Sequence, residues 1–169
     1  MDLMIRAVEP GEYAALGEII AEAYLGDGLL DGPRDPYLHR LRAVGQRAAE
    51  AEVLVALDAD GAVLGGVTYA APGTPWRDIA GPDEAEFRML AVAREGRGRG
   101  VGEALVRACV DRARSADGVV ALVLSTQPAM LGARRIYRRL GFVRTPERDW
   151  EPVPGLGLMT FRLELGAPC

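Results

Sequence analysis

The stretch that decides the fold is Ala91–Gly102, AVAREGRGRGVG, together with EALVRACVDRARS, which follows it. A short apolar run ends at Val92, a loop rich in Arg and Gly follows, and an amphipathic segment begins at about Gly100. Its apolar side chains fall at Val101, Ala104, Leu105, Ala108 and Cys109, the spacing of one helix face. A strand therefore hands over to a helix N-terminus through a glycine loop. The first backbone N–H groups of a helix have no intrahelical acceptor and its dipole is positive there, so the junction suits an anion. Glycines let a phosphate come close to the backbone, and Arg97 and Arg99 add charge-assisted donors. The dinucleotide pattern G-x-G-x-x-G fails, because counted from Gly96 its last position is Val101, and from Gly98 it is Glu103. The triphosphate loop needs Lys followed by Ser or Thr, and the chain has no Lys. What remains is R-x-x-G-x-G over Arg97–Gly102, which by itself also reads as a flexible, solvated connection.

Working outward, Glu86–Val92 is the strand that feeds the loop. Before it, Leu3–Val8 reads as a first strand, followed by a helix from Pro10 to about Leu25 and a Gly/Pro/Asp-dense link. A second helix is predicted over Pro36–Ala49. Val53–Leu57 and Val63–Ala70, joined by Asp58-Ala59-Asp60-Gly61, read as a hairpin, and Gly65-Gly66 inside it signals a bulge or close packing. Ala71–Asp83 is a loop around Trp76. Beyond the central helix, Gly118–Leu124 (GVVALVL) suits a buried strand, and Pro128–Leu140 is helical with Gly141 at its C-terminal cap. Phe142–Arg144 and Gly157–Leu165 are the last strands, linked by the turn-rich PERDWEPVPG. The order β-α-α-β-β-β-α-β-α-β-β predicts an α/β (α+β) domain with a mixed, mostly antiparallel sheet of about six to seven strands flanked by about four helices.

At 169 residues the chain is read as a single domain over residues 1–169. A net charge of −4 and a pI near 5.1 argue against general nucleic-acid affinity. All twenty basic residues are Arg and Asn is absent, a bias that weakens any single Arg as a phosphate signal. Cys109 lies on an apolar helix face and Cys169 is the last residue, which suggests neither a disulfide framework nor a metal site. The N-terminus does not read as a signal peptide, and no stretch approaches the ~20 apolar residues of a membrane span. These features predict a cytoplasmic protein with no membrane partner.

The element order and AEFRMLAVAREGRGRGVG resemble the GNAT superfamily of N-acetyltransferases. Ala133–Phe142, ARRIYRRLGF, is similar to the family's A-x-x-x-Y-x-x-x-GF segment. The resemblance implies acetyl-coenzyme A as co-substrate, no metal, and direct attack by a primary amine in a ternary complex. It implies that Arg97, Gly98, Arg99, Gly100, Val101 and Gly102 hold the pyrophosphate, while backbone groups of Leu90, Ala91 and Val92 hold the pantetheine arm. Tyr137 matches the tyrosine placed near the coenzyme sulfur, and Glu86 matches a glutamate that acts as base or binds substrate. A phenol with a pKa near ~10 suits a departing thiolate, and a partly buried carboxylate suits an ammonium proton. One departure is Met130, where the family often has an Asn that touches pantetheine. Ser125, Thr126 and Gln127 are candidates to replace that contact. His39, the sole histidine, reads as a solvated helix face.

The acceptor, a small-molecule or peptide amine, is expected between the loop Tyr24–Tyr37 and the far side of the sheet. Asp27, Asp31, Asp35, Asp78, Glu84 and Glu86 would make that side acidic and favour a cationic amine, with Tyr24, Tyr37 and Trp76 as apolar walls. The competing readings are a non-catalytic acyl-coenzyme A sensor and a transferase for a longer acyl group. A homodimer is compatible with the family, though no stretch of the chain argues for one.

Overall fold

The computed structural model describes residues 3–26, 30 and 32–166. The elements are β1 (Met4–Ala7), α1 (Tyr13–Gly26), α2 (Tyr37–Arg42), α3 (Val44–Glu50), β2 (Glu52–Leu57), β3 (Val63–Ala70), β4 (Glu84–Val92), α4 (Val101–Ser115), β5 (Ala121–Thr126), α5 (Leu131–Arg139), β6 (Val143–Arg144), β7 (Trp150–Val153) and β8 (Leu156–Glu164). One sheet holds the strands in the order β1-β2-β3-β4-β5-β8-β6, with β7 pairing β8. Among the described strands only β4 and β5 run parallel. The mixed, mostly antiparallel architecture is the one the element order predicts. The described residues form eight strands and five α-helices where about six to seven strands and about four helices are expected.

Strand β4 organises the sheet because its residues feed both faces. Ala85 and Phe87 pack with Leu105, Val106 and Cys109 of α4 and with Leu122, Leu124, Tyr137 and Phe161. Met89 and Ala91 pack with Leu16 and Ile20 of α1, with Leu38 and Leu41 of α2, and with Trp76. A bulge makes this switch, since the β3–β4 register slips between Gly66 and Thr68 and Met89 takes φ 58. The glycine pair in β3 is there for close approach. A Cβ on Gly66 would lie 2.5 Å from Leu16 Cδ1, and one on Gly65 would lie 2.5 Å from the Ala91 carbonyl oxygen. β4 pairs β5 only from Glu84↔Ala121 to Glu86↔Val123, whereas it stays paired with β3 as far as Val92↔Gly65. The two parallel strands thus part where the glycine loop begins.

Several expected boundaries shift, such as the strand expected over Gly118–Leu124 and found at Ala121–Thr126, and three differences have a visible cause. The helix predicted over Pro36–Ala49 is two helices broken at Ala43, which has φ −80 and ψ 54. The buried Arg47 guanidinium donates to the carbonyls of Arg40 and Leu41 and to Thr68 Oγ1, so α2 ends by handing its last carbonyls to a side chain. The helix predicted from Pro128 starts at Leu131, because Gln127–Met130 closes a turn in which the Met130 N–H donates to Gln127 O. PERDWEPVPG contains strand β7, which returns along β8 around Gly155 at φ 87. Among the described residues no helix is long and apolar enough to cross a membrane.

Candidate active site

Where β4 and β5 separate, a cleft of about 590 Å³ opens between the end of β4, the glycine loop, the first turn of α4 and the start of α5. Leu90, Ala91, Val92, Arg97, Gly98, Gly100, Val101 and Gly102 all line it. Gly100 is the N-cap of α4 at φ 79 and supplies no side chain to cap it, so the first-turn amides have no such partner. Gly98 has φ 75, and a Cβ at either glycine would meet nothing in the protein within 4 Å. The loop is therefore held in conformations that favour glycine, on a side left open by its neighbours. Gly102 serves packing instead, since a Cβ there would stand 3.1 Å from Ile136 Cδ1 of α5. Glu103 ties α4 to α5 through Arg139 at 2.7 Å, which neutralises a carboxylate at the edge of an anion site. This glycine cradle at a positive helix end, without lysine, fits the pyrophosphate of a coenzyme.

Arg99, Tyr137 and Glu86 lie off the lining. Arg99 folds back to donate to the Glu95 carbonyl at 3.2 Å. Tyr137 is 3% exposed, with its ring centroid 5.7–5.9 Å from those of Phe87, Phe142 and Phe161. Burial pushes its phenol well above the usual range, and the neighbouring Tyr24 adds to the effect. Glu86 is 1% exposed, and its Oε1 accepts the backbone N–H groups of Asp78, Ile79 and Ala80 at 2.9–3.0 Å. Burial raises its pKa and the three amides offset part of that rise. Met130 lines the cleft and its Sδ accepts from the buried Thr126 hydroxyl. Ser125 Oγ accepts from Trp150 Nε1, and none of Ser125, Thr126 and Gln127 reaches the lining. His39 is exposed on α2.

The acidic acceptor side is not what the described residues build. Glu84 is gripped by Arg148 and Arg162; burial would raise its pKa, but these guanidiniums and the Gly81 amide hold it down to about 2. Asp78 pairs with Arg88 at 3.0 Å, and Asp35 accepts the Tyr37 N–H. Asp27 and Asp31 lie outside the described residues. Sequence reasoning named Tyr24 only as an acceptor wall, yet it lines the cleft, and it passed over Arg88 entirely. The signal for Arg88 was its place in AEFRMLAV, two residues after Glu86 and hence on the same strand face.

Residues 14–142 match the Acetyltransferase (GNAT) family. The chain belongs to the GNAT acetyltransferase family. An L-methionine sulfoximine/L-methionine sulfone acetyltransferase of Pseudomonas aeruginosa is 34% identical over 90 residues, 53% of this chain and 49% of that protein. An uncharacterized N-acetyltransferase of Schizosaccharomyces pombe is 33% identical over 113 residues, 67% of this chain and 63% of that one. The chain spans about half the length of the first of these curated relatives and under two thirds of the second. Among solved structures, yncA of Salmonella typhimurium with its cofactor acetyl-CoA is 25% identical, with a TM-score of 0.71 over 99% of this chain and 98% of that chain. A GCN5-related N-acetyltransferase from Kribbella flavida is 27% identical, with a TM-score of 0.69 over 96% and 98%. The matched span takes in Arg97–Gly102 and Ala133–Phe142.

Proposed function

We propose that this chain is an N-acetyltransferase that moves an acetyl group from acetyl-coenzyme A to a primary amine by direct attack in a ternary complex. In this reading residues 1–169 are one acetyltransferase domain acting in the cytoplasm. The observation that carries it is the uncapped, glycine-lined N-terminus of α4 opening onto a cleft bounded by the separated end of β4. When bound, the coenzyme supplies a thioester-activated acetyl group. Backbone N–H groups from Gly98 to Gly102, helped by Arg97, hold its phosphates. Leu90–Val92 lie beside the point where β4 leaves β5, so their backbone groups are positioned to hold the arm.

Two of the chain's own groups then handle protons. Glu86, with its pKa raised by burial, accepts the ammonium proton directly or through water, while three amides fix its other role as anchor of the 78–80 loop. Tyr137 remains protonated at neutral pH because burial disfavours its phenolate, so in this reading it keeps its proton and its hydroxyl, behind the lining residues Ala133 and Ile136, donates a hydrogen bond to the sulfur that departs as thiolate. No cysteine lines the cleft among the described residues, and Cys109 is fully buried against β-strands, which supports direct attack over a covalent acetyl-enzyme. The acceptors named for the Pseudomonas relative put amino acids first in the panel to be tested. Initial-velocity kinetics decide the scheme. Intersecting lines, with free thiol released only when amine is present, are expected. Parallel lines with an acetylated protein in the mass spectrum would overturn direct attack.

A further inference from the structure

We infer that the acceptor carries a carboxylate beside its amine, and that Arg88 and Arg40, gathered on Trp76, hold it. The inference rests on the acetyl-transfer reading above and adds the acceptor's class to it. It begins from a charge inventory of the acceptor side. The described carboxylates there are engaged, Glu84 by two arginines, Glu86 by three amides and Asp78 by Arg88. A cationic group would find none of these free. Guanidiniums, by contrast, are in excess around Trp76, where three of them stand against Asp78 and the exposed Glu50, which lines the same pocket as Arg40. The Cζ atoms of Arg40, Arg47 and Arg88 lie 5.0, 5.8 and 5.8 Å from the Trp76 ring centroid, in cation–π range, with Asp78 the carboxylate paired among them.

The three arginines divide by role. Arg47 is wholly buried and spends its donors on two carbonyls and Thr68, so it is scaffold. Arg88 donates from Nη1 to Asp78 and the Trp76 carbonyl and from Nη2 to the Tyr37 hydroxyl, which leaves its Nε hydrogen and one on Nη2. Arg40 is exposed, stands over both Trp76 and Tyr37, and has no carboxylate partner among the described residues. Trp76 is itself 6% exposed, and its Nε1 has no acceptor among the described residues. Surplus guanidinium charge is matched by an anion, and a planar carboxylate suits the guanidinium fork. Two tyrosines link the corner to the coenzyme cleft. Arg88 shares a strand face with Glu86, and Tyr37, whose hydroxyl accepts from Arg88, has its ring 6.2 Å from that of Tyr24, a lining residue of the coenzyme cleft. One small molecule can therefore present its amine to the cleft and its carboxylate to the arginines.

The test pairs α-, β- and γ-amino acids with their own carboxamides as acceptors, in protein saturated with acetyl-coenzyme A. Each preferred acid should exceed its carboxamide in kcat/KM by roughly tenfold or more, the worth of one charge-assisted contact. Arg40→Gln, on an exposed side chain, should raise KM for the acid by about the same factor, leave KM for the carboxamide alone and leave coenzyme affinity unchanged. Arg88→Lys keeps the charge opposite Asp78 but gives up the fork, and should narrow the acid/amide ratio. Equal use of acids and carboxamides, or an unaltered ratio in both variants, would overturn the inference while leaving acetyl transfer intact. If no amine yields thiol, the transfer reading fails, and the carboxylate site is judged by binding alone. In Trp150→Phe protein, where Trp76 is the remaining indole, acids but not carboxamides should change the fluorescence. An equal response, or none, refutes the site.

Discussion

A Cβ added at Gly100 separates the loop's backbone strain from its ligand role. Gly100 sits at φ 79, so Gly100→Ala places an L side chain in the left-handed region at a cost of about 1–2 kcal/mol. For a chain of this size that lowers Tm by roughly 2–8 °C. Apart from its own chain neighbours, no protein atom lies within 4 Å of the added carbon, so no packing contact is disturbed. What the carbon does meet is whatever approaches the α4 amides. Losing one charge-assisted contact of about 1.5–3 kcal/mol weakens acetyl-coenzyme A by roughly ten- to a hundredfold. Gly61→Ala is the matched control, because Gly61 has φ 83 in the β2–β3 turn, is equally open, and lies off the cleft. Thermal melts should show similar losses for both variants, and titration calorimetry should show lost affinity only for Gly100→Ala. Wild-type affinity in folded Gly100→Ala would refute the assignment of this loop to the phosphates.

Three further outcomes follow from the same geometry. Tyr137→Phe keeps the ring among Phe87, Phe142 and Phe161, so thermal stability and coenzyme affinity should hold while single-turnover rate falls by about 10²-fold or more. Glu86 ionises above its ordinary value of 4.5, so the wild-type rate should rise with pH through that raised pKa, and Glu86→Gln should lose this limb in a pH–rate profile. Glu84 is held at about 2, below its ordinary 4.5, so its contribution to stability is full above pH 4.5 and is lost as pH falls from there toward 2. Melts of Glu84→Gln should show lower stability at neutral pH and a flatter decline in acid.

The parts of this molecule readable from sequence are those set by local periodicity and glycine chemistry. The helix after Gly100, the close approach at Gly65-Gly66 and the cap at Gly141, found at φ 96, are written in neighbouring residues. The break at Ala43 is not, because it depends on Arg47 reaching back to carbonyls one helix away and across to Thr68 of β3. Strand β7 was hidden by Pro152 and Pro154, which mark turns in sequence yet are tolerated in a hairpin at the sheet's margin. Part of the cleft lining, Leu90–Val92 and most of Gly96–Gly102, falls in one stretch of sequence, whereas Tyr24 of α1 and the start of α5 join it only through the fold. The acceptor side was misjudged because counting carboxylates cannot show which arginines pair with them. Glu84 meets Arg148 and Arg162 from distant segments, and Arg88, the single basic residue of β4, is the group the count overlooked.

The central claim is that this cleft passes an acetyl group to an amine. It is tested most directly by incubating the protein with ¹³C-acetyl-coenzyme A and the paired amine panel and weighing the products by mass spectrometry. The account predicts labelled N-acetyl product on an amino acid in equal amount to the thiol released. Coenzyme bound at the cleft with no labelled amine, or label on the protein itself, would contradict it.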